Sequence, residues 1–131
     1  MGELHDLTAL EQAAAVRSRE VSPVELVDHY LDRVGRLADT VGAFITVTDE
    51  LARKQARVAE ARVGEDGLPA FFGVPSAIKD LNMTAGIRTT FGSASMADYV
   101  PEVTDEVVLR LERAGCISLG KTNTTELGSP C

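Results

Sequence analysis

The chain has 131 residues, 44% of them apolar and 25% charged, with a mean hydropathy of +0.01, values that suit one globular domain and exclude disorder, collagen-like repeats and disulfide miniproteins. Twenty acidic against 13 basic residues give a net charge of −7; so few cations make no broad positive field, which argues against nonspecific binding to nucleic acid or anionic membranes. The opening MGELHDLTALEQ places Glu3 and Asp6 where a secretory signal is basic and then apolar, and no uncharged stretch approaches the roughly 20 residues of a membrane span. The expected address is the cytoplasm. Cys116 and Cys131 stand alone, without CxxC spacing, so neither a metal site nor a structural disulfide is expected.

Residues 1–66 are charged and helical in pattern, whereas 67–131 hold seven of the 11 glycines. Thr8 and Glu11 form the Ser/Thr-x-x-Glu pattern in which each side chain caps the other's backbone amide, so a first helix runs from there to about Arg19. A second opens at Ser22, with Pro23 at its first position, Glu25 closing the box and Val21 set to pack on Leu26. Gly42 ends it. Ala43–Val47 (AFITV) is branched and aromatic enough for a short strand. A third helix follows from about Asp49 to Val63, with Glu50 and Lys54 at i,i+4 spacing.

After the turn Glu65–Pro69, the apolar run Phe72–Lys79 (FGVPSAIK) holds a buried strand from about Val74 that delivers Lys79 and Asp80 at its C-terminal end. Thr104–Ala114 reads as an amphipathic helix with Val107, Val108 and Leu111 on one face, stopped by Gly115. Cys116–Leu119 returns as a strand. Helices alternating with short apolar strands predict an α/β architecture.

GCISLGKT, residues 115–122, satisfies the phosphate-loop pattern G-x-x-x-x-G-K-[ST]. Its setting is wrong, because a helix rather than a strand precedes Gly115 and Cys-Ile-Ser-Leu is strand-like where the loop should expose backbone amides. A helix-to-strand turn followed by a loop explains it better. His5 and His29 lack acidic or cysteine partners at ligand spacing and read as surface groups. No serine sits in a G-x-S-x-G elbow, Ser93 in TTFGSAS being the best polar site-lining group. Lys79 stands out: at a strand end where α/β proteins place their sites, partial desolvation disfavours its charged form and frees an amine to accept a proton. The competing reading is a lysine that snorkels to water or pairs with Asp80.

SPVELVDHYLDRV, AFITVT, GVPSAIKD, TAGIRTTFGSAS, DEVVLRLERAG and LGKTNTTELGSPC together, in that order, resemble the N-terminal part of the amidase signature family, with GVPSAIKD and GKTN the specific segments. The resemblance implies a larger mixed-sheet α/β/α fold and hydrolysis of amides without a metal or other cofactor. It implies that Lys79 is the lysine of a Ser-Ser-Lys triad, relaying a proton through a serine held by a cis peptide to a second, nucleophilic serine. Asp80 then has a supporting role, Thr90 and Ser93 lie at the pocket edge or behind it, and Asn123 fixes a loop.

The family's serines and oxyanion-hole amides belong to a GGSSGG-type segment C-terminal to GKTN, which these 131 residues do not contain. The chain is therefore expected to be a single incomplete domain, its helical part about 1–66 and its lysine-bearing part about 67–131, inactive alone. A small-molecule amide is the expected substrate of the complete enzyme. The complementary C-terminal part, or a second copy, is the expected protein partner. A noncatalytic binding module and an amidotransferase component working on aminoacyl-tRNA are the alternatives.

Overall fold

The computed structural model describes residues 3–129; Cys131 lies outside them. Four helices and three strands follow in the order α1 (Ala9–Ser18), α2 (Pro23–Val41), β1 (Phe44–Val47), α3 (Asp49–Arg62), β2 (Pro75–Lys79), α4 (Glu106–Arg113) and β3 (Ile117–Thr122). The α/β class is as expected.

Both expected capping boxes form. Thr8 Oγ1 accepts from the Glu11 amide at 3.3 Å while the Thr8 amide donates to Glu11 Oε2 at 2.7 Å. Ser22 Oγ accepts from the Glu25 amide at 3.0 Å and the Ser22 amide donates to Glu25 Oε2 at 2.8 Å. These bonds satisfy amides that have no partner within the helix. Ser22→Ala is expected to cost about 1 kcal/mol, read as a midpoint about 4 °C lower in thermal unfolding; an unchanged midpoint would show that the box is unimportant to the chain's stability. Gly42 closes α2 in the left-handed conformation, with φ +58°.

The core is the seam where the first three helices meet one face of the sheet. Val16, Leu26, Val27, Leu31, Ala52, Ala56 and Ala59 pack with Phe72, Ile117 and Leu119. Alanines along α3 give no bulk, so α2 supplies most of the apolar volume at this contact. Arg53 ties the two helices, donating to Asp28 Oδ1 at 2.7 Å and to Asp49 Oδ2 at 3.0 Å. The expected Glu50–Lys54 pair is not among the ion pairs of the described residues; Arg53, on the side facing α2, reaches two carboxylates at once. In α4 the buried residue is Val108, whereas Val107 is 49% exposed and does not share the inner face expected for it.

The sheet has order β1-β3-β2, β3 running antiparallel to β1 and parallel to β2. β3 is longer than the expected Cys116–Leu119, continuing through Gly120, Lys121 and Thr122 as the central strand. All of the phosphate-loop pattern after Cys116 thus lies in strand, and the loop expected over GKT is corrected. Ser76 pairs with Ser118 but Ile78 pairs with Lys121, so β3 holds one residue more than β2 over this stretch. That bulge falls at Leu119–Gly120, where Gly120 has φ +143°. Because side chains alternate along a strand, the extra residue exchanges the faces beyond it. Ile117 and Leu119 face the helices, whereas Lys121 joins Ser118, Ile78 and Asp80 on the other side.

Candidate active site

Asp80, the residue after β2, is the centre of a buried polar cluster. Its amide donates to Thr122 O at 2.9 Å and its carbonyl accepts from the Phe91 amide at 3.0 Å, so the backbone is held on both sides. Its carboxylate, fully shielded from solvent, accepts through Oδ2 from the Thr90 amide at 2.9 Å and the Thr90 hydroxyl at 2.5 Å. Oδ1 has no hydrogen bond of its own and lies 3.3 Å from Lys121 Nζ.

Lys121 is likewise fully buried. Its ammonium donates to Asn82 O and to Thr89 Oγ1, each at 2.7 Å, with Asp80 Oδ1 on the third side. Two hydrogen bonds and one ion-pair contact thus surround the buried nitrogen. Burial pushes this ammonium below the usual lysine range, and Asp80, with Asp105 adding to it, pulls it back up.

Lys79 faces the other way and is exposed. The partial desolvation expected for it is not found: strand alternation turns Ile78 and Asp80 inward and leaves nothing over Lys79 among the described residues. Of the competing reading, the lysine that reaches water is what the structure shows, whereas a Lys79–Asp80 pair is not among the ion pairs of the described residues, Asp80 being turned toward Lys121.

Of the other candidates, Thr90 touches Asp80 directly, and its carbonyl accepts from the Ser93 amide at 2.9 Å. Ser93 is buried and its hydroxyl donates to Glu126 Oε1 at 2.8 Å; with that proton committed, Ser95 must be the donor in the 2.8 Å Ser93–Ser95 bond. Ser93 is therefore a fastener between the loop after β2 and the segment after β3. Leu127 donates to Phe91 O at 2.7 Å on the same seam. Asn123 is elsewhere: its amide donates to Ala43 O at 2.8 Å and its side chain to Gly42 O, pinning the entry to β1 against the end of β3. Sequence reasoning missed Lys121 and Thr89. No local signal marks Lys121, because the glycine and polar residues of GKT suggest a loop and the bulge that aims it at Asp80 forms only against β2.

The histidines, expected to read as surface groups without acidic or cysteine partners at ligand spacing, contact each other. His5 Nδ1 and His29 Nε2 lie 3.0 Å apart, and Arg33 approaches His5 Nε2 at 3.0 Å. Because arginine only donates, His5 carries its proton on Nδ1 and gives it to His29. Glu3 is close enough to complete a metal-ligand set. The ring planes lie within 17° and the centroids 5.2 Å apart, so the rings meet end to end. Two metal bonds of about 2 Å laid end to end need about 4 Å, and the gap instead fits a shared proton.

A buried Asp-Lys pair, beside an exposed lysine that has no ion-pair partner among the described residues, sits on a fold found in amide hydrolases. The amidase family profile matches residues 25–131, and the chain belongs to this family. It is 39% identical over 127 residues to a protein of Synechocystis sp. provisionally named an amidase, covering 94% of this chain and 25% of that one. It is also 39% identical over 123 residues to a Glutamyl-tRNA(Gln) amidotransferase subunit from Nitrosococcus oceani, covering 94% and 26%. Among solved structures, the peptide amidase of Stenotrophomonas maltophilia superposes with a TM-score of 0.84 at 27% identity, over 92% of this chain and 25% of that one. The chain spans about a quarter of the length of the curated relatives it matches.

Proposed function

We propose that the chain supplies the lysine of a Ser-cisSer-Lys amide hydrolase, Lys79 being that lysine, and that the serines and oxyanion-hole amides come from a segment outside these 131 residues. The observation that carries this reading is the placement of Lys79: at the C-terminal end of a parallel strand, exposed, and without a carboxylate partner because its neighbour Asp80 is engaged inside. Parallel strands of α/β proteins present their sites at this end.

The proposed chemistry is acyl transfer. Neutral Lys79 takes a proton through the bridging serine from the nucleophilic serine, which attacks the amide carbon; the C–N bond breaks as the proton returns to the leaving nitrogen, and water then cleaves the acyl-enzyme. Backbone amides stabilise the tetrahedral oxyanion. The substrate is a small carboxylic amide and the reaction belongs in the cytoplasm. The amidotransferase relatives support a second reading, in which the same lysine serves an amidotransferase component working on aminoacyl-tRNA.

The 131 residues alone contain no GGSSGG-type segment and are expected to release no ammonia from simple aliphatic or aromatic amides above the rate without protein. Joined in frame to the remaining three-quarters of the Synechocystis relative, they are expected to do so. Turnover by the isolated chain that survives Lys79→Ala would overturn the triad reading.

A further inference from the structure

We propose that Lys121 is the positioning residue of the Lys79 site: its buried ammonium takes up the Asp80 carboxylate and the Asn82 carbonyl, fixing the turn after β2 and leaving Lys79 without a counter-ion. This rests on reading Lys79 as the acting group. Three observations support it. First, Lys121 grips residues on both flanks of the loop after β2, Asp80 and Asn82 at its start and Thr89 toward its end. Second, the bulge at Gly120 places Lys121 on the Asp80 side of the sheet; an uninterrupted strand would aim it into the apolar seam under the helices. Third, Asp80 Oδ1 has no partner among the described residues but Lys121, so removing the ammonium leaves an uncompensated buried negative charge on the residue next to Lys79, although the two side chains lie on opposite faces of the strand.

A general base needs its neutral form, and a carboxylate beside a lysine favours the charged one. Occupying Asp80 inside the protein removes that competitor without removing the residue. The same contacts hold the strand end: Asp80 accepts from Thr90 and Phe91, and the Asn82 amide donates to Lys79 O at 3.0 Å. Asp105 is the other carboxylate bearing on Lys121, and it is engaged with the Met83 amide at 2.8 Å.

The chain has only three lysines, Lys54, Lys79 and Lys121, so a sample labelled with ¹³C at lysine Cε gives one resonance for each. In Lys121→Met, the Lys79 titration midpoint is expected to rise by about half a unit or more relative to Lys54, and in Lys121→Met/Asp80→Asn to return to the wild-type value. An unchanged Lys79 midpoint in folded Lys121→Met overturns the counter-ion role. Should the single variant not fold, the charge-balanced double variant decides through amide hydrogen exchange. Exchange at Asn82, Thr90 and Phe91 is then expected to quicken at least about tenfold while the core amides of α2 keep wild-type rates; unchanged exchange at all three overturns the positioning role. Neither readout involves amide hydrolysis. A failure of Lys79 as a catalyst in the completed enzyme would leave these results intact, and their failure would leave its catalytic reading standing.

Discussion

Lys79→Ala, in the chimera completed by the C-terminal part of the Synechocystis relative, is expected to lower kcat by about 10³-fold or more while KM for a small amide stays within about threefold. A proton-transfer group acts mainly in the transition state, so its removal lowers kcat and kcat/KM together; a group that merely lines the pocket would raise KM instead. Lys79→Arg should do no better than alanine. Guanidinium keeps its proton at any pH the protein survives and cannot take one from a serine. Steady-state ammonia release across a range of amide concentrations separates the two parameters. Near-wild-type kcat in Lys79→Ala would mean that another group activates the nucleophile, and Lys79 would have to be reassigned to the surface.

The largest stability effect is expected at Gly120. A Cβ there would stand 2.1 Å from Thr46 O and 3.0 Å from Val47 Cα, so backbone of the neighbouring strand, not a yielding side chain, is in the way. The φ of +143° adds strain for any residue with a side chain. Gly120→Ala is expected to cost about 3 kcal/mol or more, seen as thermal unfolding at least about 10 °C earlier by far-UV circular dichroism. Gly67→Ala is the control, since it has positive φ but nothing within 4 Å of the added atom. Equal losses in the two variants would reduce the Gly120 effect to φ alone and remove the steric argument for the bulge.

The helices could be read from the sequence because their signals are local. Ser22, Pro23 and Glu25 announce α2 within four residues, and the structure repeats them bond for bond. The family and the α/β class could be read too, from GVPSAIKD and GKTN in their order. What could not be read depends on groups distant in sequence. Leu119–Gly120 becomes a bulge only against β2, and without that bulge the period-two pattern Ile117, Leu119, Lys121 points the lysine at the wrong face. His5 and His29, 24 residues apart, meet because a short 3₁₀ turn folds back on α2. The expected desolvation of Lys79 failed for a related reason: the apolar run before it is buried on the sheet, but burial ends with Ile78 on one face and resumes with Asp80, leaving the residue between them outside.

The placement of β3 in the middle of the sheet has a consequence for how the chain comes to be folded. Of these three strands it is the last to be synthesised, and among the described residues each of the others pairs only with it. Until Gly120 has been made, Val47 has no ladder partner, and β2 waits equally for Ile117–Thr122. The α2–α3 pair, joined by Arg53 and Asp28 and closing over a short stretch of sequence, can form early, but β1 and β2 stay without these ladder partners until β3 has been made. Long-range pairing of this kind is slow, and unpaired strands are the parts of a nascent chain most open to wrong partners.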